Sequence, residues 1–99
     1  MLKGQAKKHF EKWLKGSYNG YSVDFYLSLP KAFQYGVIVD WFDSMGIQIE
    51  IIISNSNYAI QIFKVNNNYP MYSVGEWETR TQARQKAIEQ ANKVYNDRK

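Results

Sequence analysis

The sequence predicts an α+β fold: a three-stranded antiparallel β-meander with helices packed on one face, in the order α-α-β-β-β-α. Three observations predict it. A helical pattern from Pro30 to Met45 stops at Gly46 and passes straight into Ile47 to Ser54, where the apolar period changes from about four to two. Two further strand-like runs follow, separated by Asn-rich turn signals. Thr79, with Gln82 three residues on, then opens a last run of helical periodicity in the pattern of a capping box.

Taken in order, Gln5 to Lys15 sets Ala6, Phe10, Trp13 and Leu14 on one helical face, with lysines over the remainder and Gly16-Ser17 ending the helix. Ser17 to Pro30 reads as an ordered connection, with a turn at Asn19-Gly20 and a helical turn near Val23 to Leu27. Ser28 is the expected N-cap of the second long helix, and Pro30 lies in its first turn, where a missing N–H costs nothing. Phe33, Val37, Trp41 and Met45, flanked by Ile38 and Phe42, make this helix apolar over most of its circumference. Only a strip with Gly36, Asp40 and Asp43 remains, and a mid-helix glycine implies a close backbone neighbour. Gly46 is the expected left-handed terminator.

In the first strand Ile47, Ile49, Ile51 and Ile53 form the core face, and Gln48, Glu50, Ile52 and Ser54 the other. Ser54 to Asn57 turns the chain into Tyr58 to Val65, and Asn66 to Asn68 turns it again into Tyr69 to Val74. Pro70 cannot donate to a ladder, which makes the third strand an edge. The last helix, Thr79 to Tyr95, has Ala83, Ala87, Ala91 and Val94 as its stripe, with Ile88 and Tyr95 alongside. Glu89 and Lys93 are a predicted ion pair, and the end from Asn96 is expected to fray.

The bulk numbers bound the rest. Ninety-nine residues make one domain, 1–99, too short for two independent cores. An aromatic content of 16% supplies that core, because each buried ring removes about 150–250 Å² from water. Without cysteine there is no disulfide, no thiolate zinc site and no cysteine nucleophile. No run approaches the ~20 apolar residues of a membrane span, and Lys7, Lys8, His9, Glu11 and Lys12 interrupt any signal-peptide core. The expectation is a cytoplasmic protein with no membrane contact.

The net charge of +4 divides into +4 over residues 1–15, −3 over 16–76 and +3 over 77–99. Lys8, Lys12, Lys15, Arg80 and Arg84 are therefore the candidate contacts for nucleic acid or an acidic partner. Asp40 and Asp43 share a helix face and are the candidate acid/base or cation pair, though no histidine or third acid completes a site. The single histidine, His9, reads as solvated. Phosphate-loop, dinucleotide and nucleophile-elbow motifs are absent, so the chain is expected to have no enzymatic activity and no cofactor. The polar sheet face, with Gln48, Glu50, Ile52 and Gln61, is the candidate contact for a protein partner or for a second copy in a homodimer.

Leaving out the first helix, the element order resembles that of the double-stranded-RNA-binding domain. That resemblance is one of architecture: Asn55-Ser56-Asn57 stands where that family has a Gly-Pro-x-His-like turn, and Arg80 and Arg84 where it has a Lys-Lys-x-x-Lys cluster. The segments Phe10 to Trp13, Leu29 to Ile47 and Glu78 to Asn96 resemble small phage and prophage proteins of gut anaerobes. This second resemblance implies an accessory protein at work in the host cytoplasm, and it carries over no catalytic residue.

Overall fold

The computed structural model describes residues 2–17, 20–54, 56–64 and 72–97. The elements are α1 (Gly4–Ser17), α2 (Val23–Ser28), α3 (Lys31–Ser44), β1 (Ile47–Ser54), β2 (Asn57–Lys64), β3 (Tyr72–Trp77) and α4 (Arg80–Asn96). The α+β order is as predicted, and the helical turn expected near Val23 is the short α2. The sheet is antiparallel in the order β1-β2-β3, which leaves β1 and β3 as its edges.

The helices gather on one face. α4 lies against all three strands, α3 packs on β1 and α4, and α1 packs on the other three helices. The principal core joins Leu14, Trp41, Phe42, Ile47 and Ile62. Aromatic rings knit it together: Phe10 meets Trp41 at 5.7 Å and Tyr26 at 5.2 Å, and Trp41 meets Tyr95 at 4.9 Å between centroids. A second cluster sets Ala83 and Ala87 on Ile60, where the missing side-chain bulk lets α4 approach the sheet.

Several local signals act as the sequence indicates. Gly46, at φ +81°, stops α3 in the left-handed region, and its N–H donates to the Asp43 carbonyl. Thr79 and Gln82 form a complete capping box at the start of α4. The β1–β2 hairpin is in the expected register, with Ile49 opposite Ile62 and Ile51 opposite Ile60. Its turn includes Ser56 at φ +69°; Asn55 lies outside the described residues.

Other expectations are corrected. Ser28 ends α2, with its hydroxyl donating to the Phe25 carbonyl, and does not cap α3, whose N-cap is Pro30 without a side-chain bond. Phe33 is 64% exposed; Gln34 takes the buried place next to it because its amide reaches the carbonyls of Leu27 in α2 and of Leu29 just after it. Among the described residues, no atom beyond Gly36's own turn of helix lies within 4 Å of where its Cβ would stand, so the expected close backbone neighbour is not found there. β3 runs to Trp77, past the expected end at Val74. A bulge makes this extension: the step from Val74 to Trp77 matches only Tyr58 to Ile60, and Glu76 within it has φ +90°. Gly75 belongs to the same feature, since a Cβ there would lie 3.3 Å from that of Ala59. The expected turn at 66–68 and Pro70 lie outside the described residues. Glu89 pairs at 3.2 Å with Lys86 in place of Lys93.

Fraying was expected from Asn96 onward; Asn96 itself is tied down, and residues 98–99 lie outside the described residues. Asn92 Oδ1 accepts the Lys3 N–H at 2.7 Å, and Asn96 accepts the Ala6 N–H at 2.9 Å while its amide donates to the Lys3 carbonyl at 3.0 Å. These two asparagines satisfy orphan donors at the start of α1 and join the two ends of the chain.

Candidate functional site

Strand alternation sends every second side chain of the sheet away from the helices. In β1 these are Gln48, Glu50 and Ile52; in β2 they are Ala59, Gln61 and Phe63. The register puts Gln48 beside Phe63, Glu50 beside Gln61 and Ile52 beside Ala59. Gln48, Glu50 and Ile52 are exposed, Gln61 and Phe63 are half-buried, and Ala59 is covered where Gly75 approaches it. Thus the four predicted contacts Gln48, Glu50, Ile52 and Gln61 share one two-strand patch, and among the described residues no helix covers it. Ile53, 68% exposed on the other side of β1, extends the apolar surface at the hairpin tip.

The cationic candidates form two separate sets. Lys8, Lys12 and Lys15 are exposed on the side of α1 opposite the buried Ala6, Phe10 and Leu14. Arg80 and Arg84 are held by aromatic rings, with each guanidinium carbon 5.2 Å from a centroid, Arg80 over Tyr58 and Arg84 over Tyr35. α1 is tied to α4 at Asn92 and Asn96. Eight residues of helix separate Arg84 from Asn92, about 12 Å along the axis.

Asp40 and Asp43 are both exposed. Asp40 borders an open hollow with Tyr21, Phe33 and Gly36, and Asp43 is not part of its lining. Among the described residues no three His, Cys, Asp or Glu side chains come together in a group that could hold a metal ion. His9 is not merely solvated: its Nδ1 and the Tyr95 hydroxyl are hydrogen-bonded at 2.5 Å, with the rings edge to face.

One feature escaped the sequence reading. Between α3 and α4 lies a cleft of about 200 Å³ lined by Lys31, Gln34, Tyr35, Ile38 and Arg84 among others. Gln34 is 3% exposed; its amide donates to the carbonyls of Leu27 and Leu29, and among the described residues its Oε1 has no hydrogen-bond partner. Burial pushes the Tyr35 phenol up to about 12 against the opposing pull of Arg84 and Arg80. The signal available in sequence was a lone glutamine at a core-facing helix position, which reads equally well as surface.

The fold and its surfaces define an α+β domain with one covered and one open sheet face. No protein-family model matches the chain, and no curated protein or solved structure matches it. No described helix is long and apolar enough to cross a membrane.

Proposed function

We propose that the chain is a non-enzymatic protein-interaction module that docks a protein partner on its open sheet face. The observation that carries this reading is the one-sided packing of the sheet. α1, α3 and α4 bury Ile47, Ile60 and Ile62, while Gln48, Glu50, Ile52 and Gln61 stay accessible on adjacent strands. Such a patch is polar enough to remain soluble when free and has an apolar centre at Ile52 on which a partner gains burial. The resemblance to small phage and prophage proteins supports a role as an accessory factor in a host cytoplasm. Binding of nucleic acid through Lys8, Lys12, Lys15, Arg80 and Arg84 is the competing reading. It receives less support, because Arg80 and Arg84 are already engaged with the rings of Tyr58 and Tyr35.

Affinity capture from host lysate, with and without nuclease, separates the two. The expected result is a protein retained after nuclease treatment and lost with Ile52→Glu. Direct titration with duplex RNA or DNA should give no binding at physiological salt; a salt-sensitive shift, weakened by Lys12→Gln or Arg84→Gln, would reverse the assignment.

A further inference from the structure

We propose that β1 is also the contact through which two copies of this chain join, pairing antiparallel across its free edge with Ile51 opposite Ile51 of the second copy. This deepens the reading of the sheet as a protein-contact element and rests on it. β1 is an edge by strand order. The hairpin closes on Ser54 and Asn57 around a two-residue turn, and in such a hairpin the closing residues exchange their main-chain hydrogen bonds. The alternation then directs the main-chain groups of Gln48, Glu50, Ile52 and Ser54 toward β2. Those of Ile49, Ile51 and Ile53 point outward, and among the described residues no strand receives them.

The two edges of the sheet differ in protection. β3 is distorted by the bulge at Gly75 and Glu76. β1, with the sequence IQIEIIIS, has no proline, glycine or lysine, no register shift and a single charge, Glu50. An edge of this kind is a template for another strand, and its own chemistry selects the second copy. Outward groups on odd positions require odd residues to face odd residues, which also keeps the isoleucine faces aligned. Centring the two-fold on Glu50 sets two carboxylates directly opposite, which is unfavourable. Centring it on Ile49 or Ile52 shortens the overlap. Centring it on Ile51 overlaps Gln48 to Ser54, sets Glu50 opposite Ile52 of the second copy, and covers the exposed Ile53 with that copy's Ile49. The product is a continuous six-stranded sheet with two copies of the open-face patch side by side.

The test combines solution mass with a register probe. Light scattering over a concentration series should show the wild type rising from 11.7 kDa toward twice that value. Ile53→Lys places a charge on an exposed edge position and should raise the dissociation constant about tenfold or more, with the monomer's thermal unfolding unchanged. The chain has no cysteine of its own. Mixing Glu50→Cys protein with Ile52→Cys protein should therefore give an oxidised cross-linked pair, because these positions face each other at about 4.5 Å between Cα atoms, within disulfide range. Either variant alone should not cross-link. A wild type that stays monomeric throughout, a dimer indifferent to Ile53→Lys, or cross-linking of Glu50→Cys alone would each overturn the proposal. A monomeric wild type that still captures a protein in an Ile52-dependent way would overturn this inference and leave the open-face reading standing.

Discussion

Ile47 and Ile53 lie on the same face of the same strand, yet the first is 2% exposed and the second 68%. The difference is one of position along the hairpin. At its base, α1, α3 and α4 converge and Leu14, Trp41, Phe42 and Ile62 close around Ile47. Further along, cover thins to Ala83 and Ala87 of α4 over Ile60, with Ile49, Ile51 and Tyr58 only partly buried. At the tip no such cover remains for Ile53 among the described residues. One residue type thus stands in two settings: at the base it holds the fold, and at the tip it leaves apolar surface exposed. Buried and exposed isoleucines occupy opposite ends of one hairpin, so each can be altered alone.

The sharpest way to break the base is Trp41→Ala. It removes the ring that meets Phe10, Phe42 and Tyr95, and it should cost about 3–5 kcal/mol in urea unfolding. That is a large part of a typical domain stability of about 5–15 kcal/mol. Asn92→Ala should cost less, about 1–3 kcal/mol, by leaving the Lys3 N–H without its acceptor. Amide exchange should show that loss as faster opening at the start of α1. In ordinary buffers the smallest effect is that of pH. Burial pushes the Tyr26 and Tyr35 phenols up to about 12 from a usual value of 10.0, so the folded state holds their protons more tightly than the unfolded chain. Their contribution is complete below pH 10 and is lost as pH rises through 12; a melting series should be flat with respect to these groups up to pH 10 and fall above it.

The sequence was most legible where a signal acts over a few residues. The change of period at Gly46, the Thr79–Gln82 box and the alternating isoleucines are all local, and all are present. Periodicity also found the arc of α3 but misjudged its edge, because Phe33 and Gln34 are neighbours and only the carbonyls at and just past the end of α2 favour burying the glutamine. The asparagine clamp joins residues some ninety positions apart, which no window of sequence can display. In β3 the bulge bent an apparent lead-in, Gly75 to Trp77, back into the sheet. The open-face patch was legible because strand alternation alone assigns Gln48, Glu50, Ile52 and Gln61 to one side. The seating of Arg80 and Arg84 over Tyr58 and Tyr35 was not, since it joins residues far apart in the chain.

The most direct measurement is paired equilibrium unfolding of Ile47→Ala and Ile53→Ala, made at concentrations where the mass is that of the monomer. Ile47→Ala should lose about 2–5 kcal/mol, in the range for a buried isoleucine. Ile53→Ala should stay within about 0.5 kcal/mol of wild type, as an exposed position does. Equal losses at the two sites would contradict the division of this hairpin into a base that holds the fold and a tip that is free to bind.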